Sequence, residues 1–143
     1  MWPLAVLALL APAPAAGARM TLDGVAFGRQ RTLTCTWFSN FEVSRFEACR
    51  AGGRNVLPAN GGAAVRCPRQ TCARMDKEAH RLARTSGREP PSGTFVVRLR
   101  GRISLSDHAP RHLGEGTRIV LVEKLLGVAN ANPPKRAADR SKD

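Results

Sequence analysis

Between Thr94 and Leu105 the chain reads TFVVRLRGRISL, and this alternation constrains the fold more than any other stretch. Val97, Leu99, Gly101, Ile103 and Leu105 occupy one side, and Arg98, Arg100 and Arg102 the other. A period of two places successive side chains on opposite faces of a strand, so the segment needs a sheet with one face buried. Gly101 inside it predicts a bend or a bulge. RTLTCTWF, residues 31–38, repeats the pattern with Leu33, Cys35 and Trp37 against Thr32, Thr34 and Thr36. Asp23-Gly24 within MTLDGVAFG is a turn signal for a hairpin or a bulge, Ser39-Asn40 a turn, and VSRFEAC a short return strand. Near the other end, TRIVLVEKLLGV, residues 117–128, is apolar enough to be a central strand.

One segment changes period. Cys72, Met75, Ala79 and Leu82 fall at helical spacing, which predicts a helix from about Thr71 to Arg84 with Thr71 as N-cap. Gly and Pro in residues 85–93 end it and lead into the alternating strand. Several short strands with one helix before the last pair predict a mainly β fold: an OB-like β-barrel of about five strands.

The chain has four cysteines, Cys35, Cys49, Cys67 and Cys72. An even count behind an export signal predicts two disulfides, with three pairings open. Cys72, on the apolar helical stripe, would staple the helix to the sheet, and Cys35 and Cys49 would fasten their hairpin to other elements. The five-residue step from Cys67 to Cys72 lacks the two-residue knuckle of zinc sites. The export signal is residues 1–18, an apolar run from Leu4 to Leu10 followed by Ala16-Gly17-Ala18, the small-x-small spacing cleaved by signal peptidases. The run is shorter than the roughly 20 residues of a spanning helix. Residues 19–128 then form a single β-rich domain, and residues 129–143 a polar, Pro-interrupted, basic tail expected to be disordered. The expected location is periplasmic or secreted.

The formal charge of +12 is high for one small domain and favours an anionic partner, a polyanion or an acidic envelope component. Arg far outnumbers Lys, so an Arg-rich coding bias that merely charges the surface accounts for the same number. Arg98, Arg100 and Arg102 are the candidate ligand-binding residues, because alternate positions lie about 6.6 Å apart along a strand, suited to repeated anionic groups. The plainer reading is a solvated strand face kept polar against aggregation.

No nucleophile elbow, zinc-protease motif or phosphate-binding loop occurs in the sequence, and nothing in it calls for a cofactor or a metal. Asp107, His108, His112 and Glu115 are the nearest approach to a hydrolase or metal cluster, with Pro110 between the two histidines opposing a shared helical face. His80 is expected to be an exposed side chain on the helix. A non-enzymatic binding domain is therefore expected, with a protein-interaction module or enzyme inhibitor as the alternative and a secreted hydrolase behind both.

With only five Phe, two Trp and no Tyr, the chain needs the aromatics of CTWFSNFEVSRFEAC for burial. Trp37, Phe38, Phe41 and Phe46 are expected in the core, with Glu42 either paired to Arg45 or facing a partner. Three blocks carry a resemblance: Trp37, Phe38, Asn40, Phe41 and Glu42; Gly93, Val97, Leu99, Gly101 and Arg102; and His112-Leu113-Gly114. They resemble small exported proteins of Gram-negative bacteria with an aromatic-Phe-x-Asn-Phe-Glu motif and no established activity. The resemblance spans about half the exported chain and implies export and a β-rich fold, but no reaction and no cysteine pairing.

Overall fold

The computed structural model describes residues 15, 17–59, 61–109 and 114–132. Its first elements are β1 (Met20–Leu22) and β2 (Val25–Phe27), a hairpin turning on Asp23 and Gly24, both at positive φ as a type I′ turn requires. Then come β3 (Arg31–Ser39), β4 (Ser44–Ala51), the two-residue β5 (Arg54–Asn55) and β6 (Ala63–Arg66). Helix α1 (Arg69–Ala83) separates these from β7 (Gly93–Ile103) and β8 (Arg118–Asn130). The fold is mainly β with one helix.

Six strands form one sheet in the order β3-β7-β8-β6-β4-β5, and β3 also pairs with β4. Five strands thus follow one another in a circuit, β3 to β4 to β6 to β8 to β7 and back to β3. All these pairings are antiparallel except β6 with β8, which run parallel across the long connection that carries α1. Leu33, Cys35 and Trp37 of β3 turn inward with Phe95, Val97 and Leu99 of β7 and Val120, Val122 and Leu125 of β8. Met75 and Ala79 of α1 enter the same core, as the helical stripe predicts. Trp37 packs on Phe95 with ring centroids 5.5 Å apart, and its indole N–H donates to Ser44 Oγ at 2.9 Å.

A second, smaller core lies on the opposite side of the sheet. Val25 and Phe27 of the hairpin cover Ile119 and Leu121 of β8, flanked by Met20, Leu22 and Ala64. This explains why Ile119, Val120, Leu121 and Val122 are all buried: 120 and 122 face the main core, and 119 and 121 the hairpin. Gly101 sits where the β7–β8 register shifts, and a Cβ there would lie 2.2 Å from the Leu121 carbonyl oxygen. The predicted bulge and its glycine therefore share one cause, the close approach of β8.

Both disulfides form. Cys35 and Cys49 are direct partners across β3 and β4, so they bind the hairpin to itself and not to other elements as expected from sequence. Cys67–Cys72 spans the β6–α1 connection and anchors the helix to the end of a strand. The helix begins two residues before the predicted start: Pro68 holds the N-cap position without a side-chain hydrogen bond, and Thr71 lies inside the helix. Proline serves there because a residue outside the helix needs no N–H donor. Strand β8 continues to Asn130, with Ala129 opposite Val96 and Asn130 opposite Phe95, so the domain extends past residue 128. The remainder of the proposed tail, residues 133–143, and most of the proposed leader, residues 1–14 and 16, lie outside the described residues.

Candidate functional site: the outer face of β3, β7 and β8

Residues directly opposite in paired strands share a face, so the register assembles surface rows that sequence alone does not join. Arg98 stands opposite Thr34 on β3 and Gly127 on β8, and Thr34 stands opposite Arg50 on β4. Arg100 stands opposite Thr32 on β3 and Lys124 on β8. Since Leu33, Cys35, Val97 and Leu99 point inward, these rows point out. Arg50, Arg98, Arg100 and Lys124 are all exposed. Neighbouring strands lie about 4.8 Å apart and alternate residues about 6.6 Å apart, so the four charges fall within a patch about 15 Å across.

None of these four side chains makes an ion pair or hydrogen bond among the described residues. Ion pairs among the described residues include Arg45–Glu47, Arg81–Glu78, Arg102–Glu123 and Arg118–Asp107. The remaining members of the rows are Thr32, Thr34, Gly127 and Asn55, with no carboxylate. An anion reaching this face would meet positive charge without first displacing an internal partner. Two of the four contributors, Arg50 and Lys124, were missed from sequence, because only the register sets Lys124 beside Arg100 and Arg50 across Thr34 from Arg98.

Arg102 is a correction. It belongs to the same face as Arg98 and Arg100, yet it is 1% exposed. Its Nε donates to Glu123 Oε1 at 2.7 Å, and its Nη1 to the carbonyls of Ala18 at 2.5 Å and Gly28 at 3.1 Å. Nη2 reaches the Ala15 carbonyl at 3.5 Å. The segment leading into β1 and the residue leaving β2 thus close over the guanidinium, which makes Arg102 an internal fastening and takes it off the exposed basic face.

The turn between β3 and β4 also departs from expectation. Asn40 Oδ1 accepts from the backbone N–H of Glu42 at 2.9 Å and of Val43 at 2.7 Å, so Asn40 shapes the turn. Trp37 and Phe46 are buried, and Phe38 is half-buried, but Phe41 is 75% exposed at the tip. Glu42 is exposed beside it, and its carboxylate has no partner among the described residues. Arg45 does not reach Glu42: it pairs with Glu47 at 3.3 Å, donates to the Gly114 carbonyl at 2.9 Å and stands over the Phe38 ring. Phe41, Glu42 and Val43 border a cavity of about 380 Å³ that also touches Cys72, Met75 and Pro90.

Asp107 and His108 are adjacent but turned to separate tasks. Asp107 Oδ1 accepts from Thr117 Oγ1 and Arg118 Nε, both at 2.9 Å, and these hydrogen bonds, Thr117 first, hold its carboxyl below the ordinary range. The His108 amide N–H donates to the Thr117 carbonyl at 2.7 Å. His112 lies outside the described residues, and among those described no three of His, Cys, Asp and Glu gather as metal ligands. His80 is half-buried, its Nδ1 bonded to Thr85 Oγ1 beyond the end of α1.

Compared with known protein families, with curated proteins and with solved structures, the chain matches none. The two disulfides fit an oxidising environment. Among the described residues no helix is long and apolar enough to cross a membrane.

Proposed function

We propose that this chain is an exported, non-enzymatic binding domain that holds a polyanion on the outer face formed by Arg50, Arg98, Arg100 and Lys124. One observation carries the reading: four basic side chains from three strands share a face with only Thr and Gly between them, and none is neutralised from within. The strand circuit, with a helix between its third and fourth strands, supports an OB-like barrel as the scaffold. The disulfides, together with the apolar N-terminal run and the resemblance to small exported proteins, support a periplasmic or secreted location.

The face carries no aromatic side chain among its basic rows, and the outward Phe38 is already occupied by Arg45. Base stacking on aromatics is what lets OB-type surfaces grip single-stranded nucleic acid. Charge spacing alone would read phosphate or sulfate groups along a chain whatever lies between them. The test is an anisotropy titration with labelled heparin and with labelled single-stranded DNA across a series of salt concentrations. Four contacts predict a slope of log K against log salt near −3 on a single strand, and each Arg98→Ser or Arg100→Ser change should flatten it by about 0.7. Affinity that is insensitive to salt, or unchanged when both arginines are replaced, overturns the proposal.

The turn at Phe41 supports a second reading, a protein-interaction module. An aromatic exposed on a turn braced by Asn40 is suited to entering a partner's pocket with little ordering cost. Binding through that turn would tolerate salt and would vanish with Phe41→Ala, which separates it from the polyanion reading.

A further inference from the structure

The cavity of about 380 Å³ between the β3–β4 turn and the first half of α1 is opposite in character to the basic rows. Phe41, Val43, Val65 and Pro90 give it an apolar wall. Glu42 and Asp76 supply its free charge, and both residues are exposed, so their carboxylates are open to solvent. Glu115 also borders it, but it is already engaged within the chain and plays no part here. Among the described residues no Lys or Arg borders this cavity, although the chain holds 23 of them. An Arg-rich protein thus carries one apolar hollow whose local charge has the opposite sign to the whole.

Neither carboxylate is compensated from within. Those of Glu42 and Asp76 make no ion pair or hydrogen bond among the described residues. The packing around Asp76 raises its carboxyl above the ordinary 3.8 by taking water from it, and the nearby His80, one helical turn on, offsets this only in part. Such a carboxylate has lost solvation without gaining a partner, and a cation placed beside it makes good the loss. Both walls are also held in place. Asn40 Oδ1 ties the backbone of Glu42 and Val43, and the Cys67–Cys72 disulfide pins the first turn of α1 to the end of β6. A site already formed before its ligand arrives pays little for ordering.

We propose that this cavity binds a small organic cation, an amidinium, guanidinium or ammonium group carried on a short apolar body. Glu42 and Asp76 face the charge, and Val43, Val65 and Pro90 receive the body. Phe41 adds the attraction of an aromatic ring for a cation. The formal charge of +12 does not oppose this strongly. At physiological salt, exposed charges more than about 8 Å away are largely screened, so the nearest carboxylates decide the sign of the local field. The volume lies at the lower end for ligand pockets, which suits a body the size of a single ring. Neither the basic rows nor entry of Phe41 into a partner is required, so this site stands or falls independently of both readings above.

The test is a nitrogen-15 NMR titration of the unaltered protein with benzamidinium chloride, with benzamide as the neutral molecule of the same shape and sodium benzoate as the anion. Benzamidinium should produce saturable shifts at the backbone amides of Glu42, Val43, Met75 and Asp76. Benzamide should bind there about fivefold more weakly or not at all, and benzoate should leave these amides unmoved. Glu42→Gln and Asp76→Asn, both at exposed positions, should each weaken benzamidinium about threefold and leave benzamide unchanged. No saturation by benzamidinium, equal binding of benzamide, tighter binding of benzoate at these amides, or shifts confined to other parts of the chain would each overturn the assignment. Comparing three ligands of one shape on the unaltered protein keeps the test decisive even if a variant does not fold.

Discussion

The middle of β7 and its last residues carry the same side chain on the same face and put it to opposite uses. Arg98 and Arg100 stand in water without a partner, whereas Arg102, two residues further on, is enclosed by Glu123 and three carbonyls. Strand alternation is identical at the three positions. What differs is the cover: the hairpin of β1 and β2 lies over one end of the outer face, with Val25 and Phe27 sealing Ile119 and Leu121 next to Arg102. A buried arginine must have its donors answered and its charge compensated, and this end of the sheet provides both. The open end has neither, so its arginines remain available to something outside the chain.

The sharpest way to break this comparison is to truncate one enclosed and one open arginine. Arg102→Ala should lower unfolding stability by about 3–5 kcal/mol, because it strands the partly buried Glu123 and leaves the Gly28 carbonyl unanswered. Arg100→Ala should stay within about 0.5 kcal/mol, as expected of a solvated side chain with no partner. Urea unfolding of both variants provides the measurement. Equal losses would mean that the cover over Arg102 contributes nothing.

How far the sequence went follows from the same contrast. Alternation placed Leu33, Cys35, Trp37, Val97 and Leu99 on the inner face, and the helical stripe placed Met75 and Ala79, because both patterns are local. The enclosure of Arg102 is not local: residues 15–28 lie more than seventy positions away. A signal did exist, since Ile119 and Leu121 are apolar on the face opposite Val120 and Val122, and a strand apolar on both faces needs two covers. Strand β6 was missed because Ala63-Ala64-Val65-Arg66 has neither alternation nor length; its pairing with β8 depends on a parallel register that no local pattern reveals. Of the site itself, Arg98 and Arg100 were legible, while Arg50 and Lys124 needed the register.

The aromatic block makes the same point at smaller scale. Phe46 is fully buried and Phe41 is 75% exposed, although both belong to the same cluster in sequence. The turn that Asn40 closes lifts Phe41 clear of the core, so scarcity of aromatics did not imply burial at every position. Phe41→Ala should change stability by less than about 0.5 kcal/mol, against a loss of about 3–5 kcal/mol for Phe46→Ala. Thermal unfolding of the pair measures both. A large loss at Phe41 would mean that the tip folds back onto the groove it borders.

Between the open and the enclosed arginines stands Arg118, whose side chain is 24% exposed and whose partner Asp107 is 65% exposed. Hydrogen bonds from Thr117 and then Arg118 lower the Asp107 pKa from its ordinary 3.8. A carboxyl whose folded pKa is depressed stabilises the fold above its unfolded value, and that contribution is lost as pH falls through the lower, folded value. Asp107→Asn should therefore be less stable than the parent near neutral pH, with the gap closing only below about pH 4. Because Asp107 is open to water, the gap should be the smallest of these effects and should shrink with added salt. Thermal melts of both proteins at about pH 6 and about pH 2.5 give the comparison. A gap that persists at the acid end would mean that the lost stability does not come from the Asp107 charge.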